Sequence, residues 1–398
     1  CSSFTSATWH FAGGDANGED RLAYILYNPT STDAVIDISF TDQTGPENPN
    51  EFQAIFVPAG RLAVADVTSR FFGDSQIAAT VKCRLGQIVA FQMELHPSAP
   101  ASTTSAVPPA GSGGVSVLLG APSTGPDWYF PEGVTSQNIP EDIYLYNPGA
   151  TAAKVQISAY LDAGSASPIM VEVPAQGELD VALNQEARIP RSINHYFYIH
   201  VTKGPPIVAF QSMGTPVPSA SPTQVAVAGS NQSAHPWINM NLGIRKAFRE
   251  WVAGGTPLQF TGAVNSNSSD LGKGSAVAGS QQGAPILDRV PNASGFRETL
   301  IVANPGNSTI SFSVAYLERG HASSVPGMAD ETVSAGGHDY LQLPPAAMPS
   351  VAPGGDFEVA ATLPGVLVIA EGPITVVQEW TSQGIPGWTS SAAIPVSG

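Results

Sequence analysis

The stretch Gly13-Gly14-Asp15-Ala16-Asn17-Gly18-Glu19-Asp20 gathers four oxygen-bearing side chains, Asp15, Asn17, Glu19 and Asp20, in one glycine-rich turn. Hard cations such as Ca2+ take oxygen ligands of this kind. The closing bidentate Glu of a helix–loop–helix site is missing, however, and the matching stretch Gly133-Val134-Thr135-Ser136-Gln137-Asn138 has no acids. The favoured reading is an exposed acidic hairpin without a cofactor, with Ca2+ as the alternative.

Other chemistry is harder to find. The seven histidines are scattered. His195 and His200 are five positions apart, so on a regular strand they face opposite sides and cannot share a metal. His-Glu-x-x-His does not occur, and the only two cysteines, Cys1 and Cys83, are too far apart for a zinc cluster. Gly272-Lys273-Gly274-Ser275 lacks the upstream glycine of a phosphate loop, and no Gly-x-Ser-x-Gly elbow is present. No catalytic residue is nominated and the chain reads as a non-enzyme. A divergent secreted hydrolase is the last alternative, because paired carboxylates are defined by separation in space.

Aromatic residues offer a binding reading. Trp9-His10-Phe11 and Trp128-Tyr129-Phe130 could stack on sugar rings. The competing reading places Trp9, Phe11, Trp128 and Phe130 in a core, because alternate residues share one face of a strand. A docking helix is expected over 241–252, where Ile244, Phe248 and Trp251 share a face and Gly254-Gly255 ends the run. Asn231, Asn267, Asn292 and Asn307 begin N-glycan acceptor patterns in loop-like surroundings.

The elements that would carry these residues come from a repeat. Trp9-His10-Phe11, Tyr27-Asn28-Pro29 and Ile88-Val89-Ala90-Phe91-Gln92 recur as Trp128-Tyr129-Phe130, Tyr146-Asn147-Pro148 and Ile207-Val208-Ala209-Phe210-Gln211. Trp9 to Asn28 and Trp128 to Asn147 are both 19 positions; Asn28 to Gln92 and Asn147 to Gln211 are both 64. A third, divergent copy has Ala303-Asn304-Pro305 and Ile374-Thr375-Val376-Val377-Gln378, with 74 positions between Asn304 and Gln378. Its Trp is absent, and Pro285 stands in that place.

After each Asn-Pro the apolar residues alternate: Ile36, Ile38, Phe40; Val155, Ile157, Ala159; Ile310, Phe312, Val314. That period puts one face of a strand in a core and the other in water. Asn supplies a local backbone partner and Pro removes a donor, as a turn requires. Val57-Pro58-Ala59 and Val173-Pro174-Ala175 read as edge strands, where Pro is tolerated.

The expected fold is all-β: tandem β-sandwich (Ig-like) domains in three related copies, with one short helix in an inter-domain insertion. The divisions are 1–100 for copy one, 101–126 for a linker with a short strand, and 127–216 for copy two. An irregular insertion with the helix follows at 217–282, then copy three at 283–398.

With 32 Asp+Glu against 16 Lys+Arg, the chain lacks the cationic footprint of a nucleic-acid binder. No run approaches the roughly 18 apolar residues of a membrane span. The first residue is Cys rather than Met, which suggests removal of an export signal. Cys1-Ser2-Ser3 resembles the start of a processed bacterial lipoprotein, a lipid anchor through Cys1; the other reading is a Cys1–Cys83 disulfide. Both place the protein outside the cytoplasm.

The Trp-aromatic opening, the Tyr-Asn-Pro landmark and the Ile-Val-Ala-Phe-Gln closing strand resemble uncharacterised secreted β-repeat proteins of bacterial cell surfaces, over copies one and two above all. The resemblance implies a domain type and carries no activity. The leading expectation is a self-assembling extracellular structural protein, a subunit of a filament, sheath or layer, with copies of itself as partners. A carbohydrate- or surface-binding adhesin, with a glycan or cell-envelope partner, is the alternative.

Overall fold

The computed structural model describes residues 5–17, 20–96, 114–131, 133, 141–161, 164–191, 193–214, 224–228, 282–287, 296–318, 321–325, 327–328, 331–344, 365–372, 374–382, 388–392 and 394–397. Among these the chain is built of strands, with two short 3-10 turns at Asn50–Phe52 and Leu183–Gln185. The docking helix, with Ile244, Phe248 and Trp251, lies outside the described residues, as do Asn231, Asn267 and Asn292.

Copy one has β1 (Thr8–Gly14), β2 (Arg21–Tyr27), β3 (Ala34–Asp42), β4 (Gly45–Glu47), β5 (Ile55–Val57), β6 (Leu62–Asp66), β7 (Ile77–Leu85), β8 (Val89–His96) and β9 (Gly114–Leu119). They form two antiparallel sheets: β1-β7-β3-β4 with β5 also on β3, and β6-β2-β8-β9. Copy two has β10 (Asp127–Phe130), β11 (Glu141–Asn147), β12 (Ala153–Leu161), β13 (Gly164–Ser165), β14 (Ile169–Val173), β15 (Gly177–Ala182), β16 (His195–Lys203), β17 (Val208–Gly214) and β18 (Gln224–Ala228). Its sheets are β10-β16-β12-β13 with β14 on β12, and β15-β11-β17-β18, the same order strand for strand.

Copy three repeats that order. Its strands are β19 (Gln282–Leu287), β20 (Phe296–Ala303), β21 (Ile310–Glu318), β22 (His321–Ser324), β23 (Glu331–Val333), β24 (His338–Gln342), β25 (Gly365–Ala370), β26 (Thr375–Ser382), β27 (Trp388–Ala392) and β28 (Ile394–Ser397). One sheet runs β22-β21-β25-β19-β28 with β23 on β21; the other runs β24-β20-β26-β27. The connections from β6 to β7, β15 to β16 and β24 to β25 hold 10, 12 and 22 residues, which places the added length of copy three. By contact the chain divides into two compact units. Copies one and two share one (Ser2–Ser233 with Ile385–Thr389), and copy three belongs to the other (Ala234–Gly384 with Ser390–Gly398).

Each join contributes an edge strand: β9 completes a sheet of copy one and β18 a sheet of copy two. Copies one and two therefore extend past residues 100 and 216. Each copy pairs two antiparallel sheets as a β-sandwich does, and the last two strands of copy one, β8 and β9, are neighbours in one sheet.

Each pair of sheets closes on a core made by the alternation. Ile36, Ile38 and Phe40 of β3 meet Leu22, Tyr24 and Leu26 of β2 in one buried cluster. Val155, Ile157 and Ala159 do the same with Ile143 and Leu145 in copy two. Ile310, Phe312 and Val314 join Leu300 and Val302 in copy three.

Trp9, Phe11, Trp128 and Phe130 are buried in these cores. The Trp9 indole N–H donates to the Ile88 carbonyl (2.9 Å), and that of Trp128 to Ile207 (3.2 Å) and Gly125 (3.1 Å), tying the first strand of one sheet to the closing strand of the other. As sugar platforms these four residues are ruled out by burial; they pack the sandwich.

The Asn-Pro landmark is a buried tie. Asn28, Asn147 and Asn304 are fully buried. In each, the side-chain amide donates to the carbonyl four residues on, Thr32, Thr151 and Ser308, each at 2.8 Å. It also donates to the residue ending the edge strand, Val57 (3.1 Å), Val173 (3.4 Å) and Val333 (3.1 Å). The side-chain oxygen accepts a backbone N–H two residues on, from Thr30, Gly149 and Gly306. One amide thus satisfies backbone groups of two elements, which a buried turn requires.

Candidate functional site

The outer face of the second sheet occupies equivalent positions in copies one and two, and the two faces differ in both chemistry and surroundings. In copy two, strand alternation turns Asp142, Tyr144 and Tyr146 of β11 outward, flanked by Glu178 and Asp180 of β15 and by Phe210 and Ser212 of β17. This face packs on the outer face of the β1–β7 sheet of copy one. Tyr144, Tyr146 and Phe210 share one apolar cluster with Ala12, Ala78, Leu118 and Ala121.

Glycine makes the approach close enough. Gly13 has φ +72°, and a Cβ there would lie 2.4 Å from the Tyr144 ring. Its backbone N–H donates to Glu178 Oε1 at 2.7 Å. A polar chain crosses beside it: His10 Nδ1 to Thr80 Oγ1 at 3.0 Å, then Thr80 Oγ1 to the Tyr146 hydroxyl at 3.2 Å. Burial holds His10 down at about 4, so it is neutral at physiological pH.

The acids of this seam are in poor surroundings for charge. Burial, followed by the nearby Asp180 and Glu94 carboxylates, raises Glu178 to about 8 against one opposing hydrogen bond from Gly13. Burial, with Asp180 and Glu141 near it, raises Asp142 to about 7. Asp180 is raised by burial against a hydrogen bond from Gln76. Glu178 Oε2 and Asp180 Oδ1 are buried without a hydrogen-bond partner among the described residues. Ionising these carboxyls in place costs more than in water, which is why each is raised.

The equivalent face of copy one is apolar, exposed at Leu62, Val64, Tyr27 and Val117 and buried at Ala23 and Val89. Tyr27, Ile25, Ala23 and Arg21 of β2 stand beside Leu62, Val64 and Asp66 of β6, Val89, Phe91, Met93 and Leu95 of β8, and Val117 and Leu119 of β9. Leu62 and Val64, 61% and 55% exposed, hold the registers that Glu178 and Asp180 hold in copy two. Val117 is 53% exposed and Tyr27 40%.

A second polar cluster lies inside copy two. Glu141 and His195 are both fully buried, with His195 Nε2 2.9 Å from Glu141 Oε2. The amide of Gln211 donates to Glu141 Oε1 at 2.5 Å. His195 Nδ1 is 2.9 Å from the Ile193 carbonyl, which can only accept, so Nδ1 carries the hydrogen. Gly133 leaves room for both; a Cβ there would sit 2.5 Å from each.

In copy one the corresponding places hold Leu22 and Ile77 against Gly14. The carboxylate has moved across the strand pair: Glu94, opposite Leu22, accepts from Gln92 at 2.9 Å, whereas Met213 is opposite Glu141. In copy three Gln378 donates to Glu298, which is again six positions before the Asn. Each copy therefore buries one carboxylate on the amide of its closing strand. The Glu141–His195 pair has the residue types of acid–base chemistry, but it is sealed from solvent.

The remaining sequence candidates fall as follows. Asp15 Oδ1 accepts the Asn17 N–H at 2.7 Å in a tight turn closed by the Asp20 N–H on Asn17, while Glu19 lies outside the described residues. Among the described residues no group of three or more His, Cys, Asp and Glu is placed to hold a metal. Cys83 is a free thiol, pushed up to about 11 by burial, and Cys1 lies outside the described residues. Asn307 is exposed in the turn between β20 and β21. His200 is on the opposite side of its strand from His195, 2.7 Å from Asp127. Tyr129, the middle residue of its aromatic run, stacks on Tyr198 at 4.8 Å.

Sequence reasoning missed the seam and the Glu141–His195 pair. The latter left one signal, a Glu six residues before the Asn in two copies.

The fold and the seam define a protein of antiparallel β-sandwich repeats that stack sheet on sheet. Residues 1–185 match the model of a family of unknown function (DUF5719). No curated protein matches the chain. Among solved structures, Thermotoga maritima 1070 is 19% identical, over 27% of this chain and 95% of that one, with a TM-score of 0.25. The Anabaena sensory rhodopsin transducer is 26% identical, over 22% of this chain and 94% of its own, with a TM-score of 0.20. An alpha-L-rhamnosidase of Streptomyces avermitilis is 9% identical, over 92% and 43%, with a TM-score of 0.17.

Proposed function

We propose that this chain is a non-enzymatic structural protein that acts outside the cytoplasm as a subunit of a self-associating surface assembly. The observation that supports this reading is the way copies one and two meet. Two sheet faces pack directly, with Gly13 against Tyr144 and its N–H on Glu178. A repeat that docks on its neighbour through a sheet face is a building unit. Stacking then extends a scaffold without a new fold at each step.

The adhesin reading loses its proposed platforms, because Trp9 and Trp128 are core residues. Size-exclusion chromatography with light scattering, paired with electron microscopy of native material, tests the proposal. Particles or oligomers larger than one chain are expected; a strictly monomeric protein at every concentration would count against it. Intact mass of native material, with and without reduction, reports separately on Cys1, as a lipid-bearing residue or one joined to Cys83.

A further inference from the structure

We infer that the seam between copies one and two is a binding site for one divalent cation of the Ca2+ class. The carboxylates of Glu94 and Glu178 are its charged ligands, and the oxygens of Gln92 and Tyr24 its neutral ones. The site lies within one chain and does not depend on self-association.

Copy one carries polar groups where the other two copies are apolar. Four positions before the landmark Asn stand Tyr24, Ile143 and Leu300; two positions after the closing Gln stand Glu94, Met213 and Trp380. Tyr24 and Gln92 are buried to 0% and 1% exposure, and Glu94 to 4%. Strand register sets Tyr24 opposite Gln92 and Leu22 opposite Glu94, and the Gln92 amide donates to Glu94 Oε1 at 2.9 Å. Strand β1 covers this corner. Phe11 packs edge-on against the Tyr24 ring at 5.2 Å, and a Cβ on Gly14 would sit 2.9 Å from the Leu22 side chain. Between Phe11 and Gly14 the register of β1 on β7 shifts, a bulge of the kind that re-aims groups beside a site. At that bulge the Gly13 N–H meets Glu178 Oε1 of copy two.

These groups lack a positive partner. The Tyr24 hydroxyl, Gln92 Oε1, Glu178 Oε2 and Asp180 Oδ1 are buried without a hydrogen-bond partner among the described residues. Burial raises both Tyr24 and Glu178. The charges that add to it are Glu94, Glu178 and Tyr146 for the one and Asp180 and Glu94 for the other, all acidic. Unpartnered polar groups in a native interior call for a water or an ion. Amide and carboxylate oxygens only accept, and one water has two hydrogens to give. A cation can be met by several oxygens at once. Two carboxylates balance a divalent charge, and carboxylate, amide-carbonyl and water oxygens in an irregular shell are the ligand set of Ca2+. Two acids converge here and neutral oxygens complete the set, so the site is not a cluster of three acids. Its ligands come from both copies, so the ion ties one sandwich to the next.

The test is calorimetric titration of Ca2+ into the chelator-treated full chain, with melting followed by circular dichroism. One ion per chain is expected, with a dissociation constant between about 1 and 100 µM and a rise in melting temperature on binding. Glu178→Gln, which can still accept from Gly13, and Glu94→Gln should each weaken binding at least about tenfold. Tyr24→Phe keeps the ring and removes one oxygen, so a loss of about three- to tenfold is expected in a chain that folds as wild type. Asp15→Asn/Asp20→Asn, in the acidic hairpin, should leave the affinity unchanged. A wild-type chain that binds no Ca2+ overturns the site. Binding that the hairpin variant abolishes, and that Tyr24→Phe and Glu178→Gln leave intact, overturns it equally.

Discussion

The outer sheet faces of copies one and two reverse the usual rule of burial. Copy two buries Asp142 and half-buries Glu178 and Asp180, and copy one exposes Leu62, Val64 and Val117 at equivalent or adjoining registers. Large aliphatics in water and carboxyls out of it both cost free energy. The backbone order is the same in both copies, so the difference lies in what each face meets. A covered face tolerates acids once they are protonated or hydrogen-bonded; an open apolar face gains by finding a cover. The repeat thus keeps its strand order while the chemistry of its contact face varies.

The interior offers the sharpest break of that comparison. His195→Ala leaves Glu141 buried without its partner and is expected to cost about 3–5 kcal/mol in denaturant unfolding. The combination Glu141→Leu, His195→Ile and Met213→Glu installs the arrangement of copy one and is expected to stay within about 1–2 kcal/mol of wild type. A triple variant as unstable as His195→Ala would mean that the two interiors are not equivalent.

Next in size is Gly13→Ala. Its Cβ meets the Tyr144 ring and its φ is positive, so a loss of about 2–3 kcal/mol is expected. The equivalent substitution in a turn without such a neighbour, Gly60→Ala, should cost about 1 kcal/mol, from the conformation alone.

The pH dependence of the seam follows from its raised carboxyls. Glu178 ordinarily titrates at 4.5 and is raised to about 8, with Glu94, Asp180, Tyr24 and Tyr144 around it. Between those values the unfolded chain releases a proton that the folded seam retains. The stabilisation is therefore complete below about 4.5 and declines as pH rises toward 8. Melting of the unit that holds copies one and two should occur at lower temperature at pH 8 than at pH 5. Glu178→Gln, which can still accept from Gly13, should flatten that slope; an unchanged slope would place the titration elsewhere. The smallest effect is on the open face, where Leu62→Glu/Val64→Asp should move monomer stability by no more than about 0.5 kcal/mol per site.

Much of the repeat was legible because it is local. Ile36, Ile38 and Phe40 alternate within a single strand, and the Asn of each Asn-Pro binds carbonyls in its own turn and at the adjoining strand end. The connectivity was not legible: nothing within β7 or β8 states that they lie in different sheets. The seam was hidden for the same reason, since Gly13 and Glu178 are 165 positions apart and meet only through the fold. Trp9 and Trp128 admitted two readings at fixed spacing, and only burial decided between them. His195 looked solitary because its partner, Glu141, is in the facing sheet.

Side-chain oxidative footprinting tests the central claim most directly. Tyr144 and Tyr146 should resist oxidation, while Tyr27, Phe91 and Met93 react. Equal reactivity of Tyr27 and Tyr144 in the folded chain would contradict the account.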